Sequence, residues 1–501
     1  MQTVYADHLV VAEADVDSHY VAFYAPSMKT LIRNGTIVTA TESYAADLLV
    51  QDERIALIGN AIPVDPGADR VIDASGMYVM PGGVDVHTHL DMPFMGTSTS
   101  DDFETGTIAA AHGGTTTIVD FAIQYKGQAL KEGLEAWLKK AESRAVVDYA
   151  FHLICTDLPD SALKEMDELV DSGITSFKLF MAYPGAFMLD DASIFRGLLR
   201  TAENGGLICM HAENGGAIDV LVKQALAAGH TAPKYHGLTR PTTAEGEATG
   251  RAIALAEMAR APLYIVHLSC ADALNQVKQA RDRGLPVYAE TCPQYLFLSH
   301  HNLEEPGFEG AKYVCSPPVR EAWNQEELWK GIAGNDLQVV STDHGTFTYK
   351  EQKQAGRNDF SKIPNGMPGV ETRLMLLYSG GVRPGKISMS RFVDVVATTP
   401  ARMFGLFPKK GAIAIGSDAD LVIFDPNAKG RISVSNMHMR VDYNPYEGTE
   451  ITGLPRVVLS RGTVLVEDGR FVGPKAHGRM VKRDRFNPQR TPTLELAGVA
   501  G

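Results

Sequence analysis

The stretch "GVDVHTH" at residues 83–89 decides how the rest of the chain is read. Val84 and Val86 alternate with other residues as a strand requires, and His87 and His89 sit two apart at its end. In a strand, residues i and i+2 face the same side, so both imidazoles point to one place. Seven more apolar strands are expected downstream, at 115–122, 148–154, 176–182, 206–212, 262–268, 286–291 and 337–344. The gaps carry helical patterns, among them 101–113, 133–145, 160–173 and 190–205. Apolar strands alternating with amphipathic helices imply a parallel sheet, and eight such units predict an α/β fold of the (β/α)8 barrel type over residues 81–408. A doubly wound open sheet is the weaker reading, because no GxGxxG follows a strand.

Outward from the barrel, both flanks have β texture. "TLIRNGTIVT" (30–39) predicts a hairpin turning at Asn34-Gly35, and "ADLLVQDERIALIGN" (46–60) a second strand pair. Short strands with turn signals return after residue 409. Residues 28–80 and 409–477 are therefore expected to pair into one small sheet domain. Residues 1–27 differ in texture and are set aside as an extension, and the polar, proline-bearing 478–501 reads as a tail or subunit arm.

The 501 residues include 47 basic and 60 acidic side chains, a net charge of −13. That balance disfavours nucleic acid or an anionic membrane as partner, since both demand a basic patch. Five cysteines, at 155, 209, 270, 292 and 315, are widely spaced with no CxxC, which suits a reducing compartment. No apolar run approaches the ~18 residues of a membrane span. The first 27 residues hold no Lys or Arg, unlike a secretory leader or transit peptide. A cytoplasmic location is the expectation.

The chemistry gathers at the strand ends. His211 ends the fifth barrel strand, His267 the sixth and Asp343 the eighth. Any one alone reads as a satisfied polar residue. Together with His87 and His89 they place four imidazoles and a carboxylate at one barrel mouth, where active sites of this fold lie. Imidazole and carboxylate suit first-row divalent ions, zinc above all. Five donors exceed one catalytic ion with its three protein ligands, so the count points to two metals. Lys178 lies in the apolar fourth strand, aimed at the same mouth. An ammonium there would be repelled by two dications. Either the amine is neutral, or it has reacted with CO2 to form an anionic carbamate able to bridge two metals. The carbamate gives a net charge near ~+1 for the cluster, against ~+3 with a neutral amine (Coulomb bookkeeping only).

Nine segments then carry a resemblance. "PGGVDVHTHLDMPF", "SDDFETGTIAAAHGGTTTIVDF", "SFKLFMAY", "HAEN", "EGEATGRA", "YIVHLSCA", "AKYVCSPPVR", "STDHGTF" and "KIPNGMPGVETR" resemble, in order, the dihydropyrimidinase and D-hydantoinase family of cyclic amidohydrolases. The likeness runs from about Met28 to about Lys482. It implies a (β/α)8 barrel with a flanking β-sandwich built from both chain ends, and a binuclear zinc centre. By matching segments, His87, His89 and Asp343 would bind one ion and His211 and His267 the other. Lys178, carboxylated by CO2, would bridge them together with a hydroxide. Tyr183 would hydrogen-bond the substrate carbonyl, and Ser316 and Asn365 would hold the cyclic amide, largely through backbone atoms. Met92, Phe94, Phe180 and Phe187 are candidates for the pocket of the ring's exocyclic substituent.

The expected reaction is hydrolysis of dihydrouracil, dihydrothymine or 5-substituted hydantoins to N-carbamoyl amino acids. Asp343 would take the hydroxide's proton and pass it to the leaving nitrogen. The family implies a homotetramer. Dihydroorotase is a rival reaction, but its anionic substrate wants a cation just after the metal histidines, where this chain has Asp91. Allantoinase shares the ligands, yet Tyr183 and "KIPNG" fit the dihydropyrimidinase pattern better. A metal-free scaffold of the collapsin-response-mediator type is disfavoured because all six ligand positions are kept. His344 reads as a loop residue, His152 as structural, and Cys315 as no nucleophile, since no base stands near it in the sequence.

Overall fold

The computed structural model describes residues 28–63 and 68–487; the segment 1–27 and the end of the tail lie outside the described residues. Eight parallel strands form one sheet in strict chain order: Gly83–Thr88, Thr115–Ile123, Asp148–Ile154, Ser176–Phe180, Leu207–His211, Leu263–Ile265, Val287–Thr291 and Val339–Val340. All eight pair in parallel register with their neighbours, as in Phe177 against Ile208, Leu263 against Ile208 and Glu290 against Val339. The fold is the (β/α)8 barrel expected from the alternation.

The last strand is short, and its seam with the first is closed by other means. Thr88 and His344 form a parallel bridge, and the His89 amide donates to the His344 carbonyl at 2.8 Å. Buried Arg373 donates from Nη1 to the carbonyls of Val84 and Val340, both at 3.0 Å, spanning the first and last strands. His344 is thus more than a loop residue. It is fully buried, and its Nδ1 accepts from the amides of Gly369 and Val370 at 3.1 and 3.3 Å.

Helices fill the gaps as the periodicity predicts, for example Phe103–His112, Leu130–Ala141, Asp160–Ser172 and Asp191–Asn204. Asp102 caps the first with its carboxylate on the Glu104 and Thr105 amides. Gly173 and Gly205 end two others at φ 99° and 75°, backbone angles that favour glycine.

The two flanks meet in a second layer. Tyr78–Pro81, which runs into the first barrel strand, pairs antiparallel with Leu421–Arg431, joining the two flanks directly. A seven-stranded sheet and a four-stranded sheet face each other over a core that includes Ile32, Ile37, Leu48, Val79, Leu421 and Ile423. The hairpin expected at Asn34-Gly35 does not form. Lys29–Arg33 pairs with Asp47–Gln51 and Arg70–Asp73 in one sheet, while Thr36–Val38 pairs with Ser43–Ala45 and Tyr78–Pro81 in the other. Asn34, at φ 62°, turns the chain from sheet to sheet, with its amide on Asp47 and its side chain on Asp73. The pair "46–60" does form, Asp47–Gln51 against Arg54–Gly59.

Residues 478–487, read as part of a tail or subunit arm, lie against this chain's own barrel. The Gly478, Val481 and Phe486 amides donate to the carbonyls of Ala145, Tyr149 and Gly205 at 2.9, 2.7 and 2.9 Å. Among the described residues no helix is long and apolar enough to cross a membrane.

Candidate functional site

The barrel mouth holds a cavity of about 60 Å³ whose wall includes His89, Lys178, His211, His267 and Asp343. His87 lies beneath, completely buried. Its Nε2 is 3.1 Å from Asp343 Oδ1, and His89 Nε2 is 3.2 Å from the same oxygen. These three residues offer ligand atoms all within 4.8 Å of one another. Next to them, His211 Nδ1 faces His267 Nε2 at 2.9 Å. Lys178 Nζ sits 2.9 Å from His87 Nε2.

Local backbone explains how short strands deliver these groups. His87 and His211 end regular strands, whereas His267 and Asp343 lie beyond theirs at φ 40° and 52°. Tyr183 shares that left-handed conformation at φ 65°, with its carbonyl accepting from Ala186, Phe187 and Met188. Non-glycine residues rarely adopt it, and such strain concentrates at functional sites.

Electrostatics sets the protonation states. Burial and Lys178 push the His87 pKa down, yet the Glu290 and Asp343 carboxylates outweigh them and hold it above the usual value. Burial drives His89 down to about 3 and His267 well below the ordinary histidine range, so both are neutral and carry a lone pair. Burial works against the Asp343 carboxylate, but His87 and His89 keep it ionised. Burial lowers Lys178 to about 8, opposed by Asp343 and Glu290.

The donor set fits divalent metal. Buried His89 Nδ1 and His267 Nδ1 have no hydrogen-bond partner, an arrangement disfavoured in a metal-free interior. His211 Nδ1 and His267 Nε2 converge to 2.9 Å, close enough for one ion to engage both rings. Carboxylates lie behind the ligands. Glu290 accepts from His87 Nδ1 and from the Tyr264 hydroxyl at 2.8 Å, and Glu213 lies 2.9 Å from His211 Nε2. Such partners fix an imidazole's tautomer and raise its basicity as a ligand. The sequence reading missed both glutamates. Glu290 ends an apolar strand just as Lys178 interrupts one, and that signal could have found it; Glu213 stands in the quoted "HAEN".

The rest of the wall is Met92, Phe94, Ile154, Phe180, Tyr183, Phe187, Ser316, Gly345, Asn365 and Gly366. All four apolar pocket candidates therefore line it. Asn365 Nδ2 is 3.2 Å from Ser316 Oγ and 3.4 Å from the Tyr183 hydroxyl. Burial, then the Glu213 charge, raises that phenol to about 12, so it is a hydroxyl donor at neutral pH. A wider vestibule of about 630 Å³ opens beyond Phe94 and Phe187. Asp91 does not line the cavity. Its carboxylate lies 3.9 Å from Arg144, so its charge does not face a bound ring and is no argument against an anionic substrate.

His152 is tied to Ser176 Oγ and the Val86 carbonyl at 2.6 and 3.0 Å, away from the cavity wall. The Cys315 thiol is buried, pushed up to about 12 by burial, and donates to the Pro317 carbonyl. Behind Ser316 and Asn365 sits another residue the sequence did not disclose. Fully buried Lys353 donates from Nζ to the carbonyls of Val314 and Pro364 at 3.2 and 3.0 Å, clasping the two loops together.

Residues 78–465 match the amidohydrolase family. The chain belongs to that family. This amidohydrolase is 54% identical over 460 residues to a D-hydantoinase of Geobacillus stearothermophilus, covering 92% of this chain and 97% of the relative. It is 57% identical to a D-hydantoinase of Streptomyces coelicolor, covering 91% and 98%. The solved dihydropyrimidinase of Brevibacillus agri superposes with a TM-score of 0.91 at 54% identity, covering 92% of this chain and all of that one.

Proposed function

We propose that the protein hydrolyses the cyclic amide bond of 5-substituted hydantoins and 5,6-dihydropyrimidines, giving N-carbamoyl amino acids. The observation that carries this reading is the convergence of four histidines, Asp343 and Lys178 on one small cavity walled by aromatic rings. The likeness to D-hydantoinases and a dihydropyrimidinase supports the substrate class.

In this proposal His87, His89 and Asp343 would hold one zinc ion, His211 and His267 would hold a second, and Lys178, once carboxylated, would supply an anionic ligand to the centre. Bound there, a zinc pair lowers the pKa of water to around 7 and polarises a carbonyl. Near pKa 8, a share of the Lys178 amine is unprotonated at neutral pH. That amine adds to CO2, forming the N–C bond of the carbamate and releasing one proton.

The side chains divide the remaining work. The Tyr183 hydroxyl donates to the substrate's carbonyl oxygen and strengthens that bond as the oxygen gains charge; such a donor is worth on the order of 3 kcal/mol. Asp343 accepts the proton of the attacking water and delivers it to the ring nitrogen as the C–N bond breaks. Ser316 and Asn365 hold the cyclic amide in line. Met92, Phe94, Phe180 and Phe187 exclude water and receive the substituent. No covalent enzyme intermediate forms. The subunits assemble as a homotetramer, and the location is cytoplasmic.

The test is a rate comparison on dihydrouracil, 5-substituted hydantoins, allantoin and dihydroorotate, run with elemental analysis. Turnover of the first two with about two zinc ions per chain supports the reading. Preference for allantoin or dihydroorotate, or full activity in protein lacking divalent metal, overturns it.

A further inference from the structure

The vestibule outside the barrel mouth carries an unbalanced charge. Arg240 and Lys126 line it, and among the described residues no Asp or Glu does. In a chain of net charge −13 that imbalance is unusual. Elsewhere cleft cations are paired, as Arg70 is with Glu467 and Arg456 with Asp468, all four lining one groove on the sandwich. Among the described residues neither Arg240 nor Lys126 forms an ion pair. Two carboxylates close by are already committed. Glu213 lies 2.9 Å from His211 Nε2. Asp157, which follows the wall residue Thr156, accepts the Gly127 amide at 2.9 Å and the Gln124 side chain.

The two cations are held differently. Arg240 is half-buried, and its Nη1 donates to the His236 Nδ1 and carbonyl at 3.1 and 3.2 Å. His236 Nε2 donates to the Cys315 carbonyl at 2.8 Å, which fixes the tautomer that accepts from Arg240. One corner of the guanidinium is anchored, while Nε and Nη2 have no partner among the described residues. Lys126 is exposed, in the turn after the second barrel strand, on a stem long enough to follow a bound group. The vestibule adjoins the catalytic cavity, because Phe94, Tyr183, Phe187 and Asn365 line both. The Arg240 charge is felt there: burial and Glu213 raise the Tyr183 phenol, and Arg240 opposes them. With a cyclic amide seated against Tyr183, Ser316 and Asn365, a long substituent passes Phe94 and Phe187 and enters the space lined by Arg240 and Lys126.

We propose that the vestibule selects hydantoins whose 5-substituent ends in a carboxylate, set off from the ring by methylenes. This rests on the reaction proposed above and adds the chemical class of the substituent. A planar carboxylate matches the free edge of the Arg240 guanidinium, and Lys126 adds a point charge. The rings of Phe94 and Phe187 make the surroundings apolar, which strengthens the attraction. A positive cleft with such walls also concentrates anions that an acidic chain otherwise repels.

Initial rates of the metal-loaded enzyme on 5-(2-carboxyethyl)hydantoin and its neutral isostere 5-(2-carbamoylethyl)hydantoin test this. The readout is the ratio of their kcat/KM values in wild type, Lys126→Met, Arg240→Gln (which keeps a donor for His236) and the double variant. Ring opening creates the same new carboxylate from both substrates, so its effect cancels in the ratio. Wild type should favour the acid by about tenfold, the worth of a hydrogen-bonded charge. The ratio should shrink as salt rises and vanish in the double variant. Arg240→Lys should recover part of what Arg240→Gln loses. A role confined to holding His236 would instead lower both substrates alike and leave the ratio in place. Equal kcat/KM for the two substrates in wild type, or a ratio unmoved in the double variant, overturns the proposal while hydantoin hydrolysis stands. Turnover of neither hydantoin overturns the reaction itself, and this inference with it.

Discussion

Two buried lysines stand at opposite ends of the barrel, and their surroundings assign them opposite tasks. Lys410 meets Asp148, Asp418 and Asp420 at 2.6, 3.0 and 2.8 Å, where the third barrel strand begins beneath the sandwich. Those carboxylates outweigh burial and hold its pKa above the usual lysine value. Lys178, at the mouth, has an imidazole nitrogen at 2.9 Å, and burial lowers it to about 8. Burial alone therefore says little about what a lysine does. The charge facing it separates an ammonium locked in a structural network from an amine left available for chemistry.

The largest effect expected from breaking this contrast is at the mouth. Lys178→Ala should lower kcat/KM by about a thousandfold or more, with metal content falling in parallel, if the amine's modified form organises the centre. Elemental analysis beside the assay checks both. Partial recovery on adding short carboxylic acids would sharpen the case, whereas full metal and full activity would end it.

At the other end the expected loss is in stability. Lys410→Met leaves Asp148, Asp418 and Asp420 facing one another, with Arg461 on Asp148 and the exposed Arg54 on Asp418 as the remaining counter-charges. Removing one partner of a buried ionic group costs about 3–5 kcal/mol, read as a lower midpoint of chemical unfolding. The pH dependence has a definite sign. Because the folded pKa of Lys410 is raised, its contribution is fully present below the ordinary lysine value and is lost only as pH climbs through the folded one. Wild type should keep this contribution across neutral pH. In the variant, acidification towards the carboxylate range should recover part of the deficit, because protonation relieves the repulsion. A variant as stable as wild type at neutral pH would show that the network contributes nothing net.

Tyr183→Phe comes next. It removes one donor and leaves the apolar ring in place among Phe94, Phe180 and Phe187. The expected loss is about a hundredfold in kcat, with KM nearly unchanged and metal content intact. Steady-state kinetics on a 5-substituted hydantoin measures it, and a change confined to KM would make Tyr183 a binding residue only.

The same contrast shows what was legible in the sequence. The barrel was readable because each apolar strand announces itself locally. His87, His89, Lys178 and His211 are polar breaks within or at the end of such runs. Lys410 and Arg373 were not readable, since each network closes through a partner far along the chain, Asp148 for one and Val84 for the other, although Asp418 and Asp420 lie close to Lys410 in sequence. The turn at Asn34-Gly35 misled for a related reason. An Asn-Gly pair fixes a local bend, but whether its strands pair together or enter two sheets depends on Asp47, Asp73 and the sandwich core. Glu290 and Glu213 fell between these cases, locally visible but meaningful only with a histidine behind which to stand.

A third buried lysine supplies the smallest prediction. Lys353 has neither the carboxylates of Lys410 nor the imidazole of Lys178; its ammonium faces two backbone carbonyls, and burial lowers its pKa to about 7. Those carbonyls belong to Val314 and Pro364, next to the loops that place Ser316 and Asn365 on the cavity wall. Lys353→Met fills the space but lets the loops separate, so KM should rise about tenfold, roughly 1.4 kcal/mol, while kcat changes little. The wild-type KM should be nearly flat from pH 6 to about 8, because an unprotonated amine keeps two N–H groups, enough for both carbonyls. A large fall in kcat at unchanged KM would move Lys353 from holding the ring's loops to the chemistry itself.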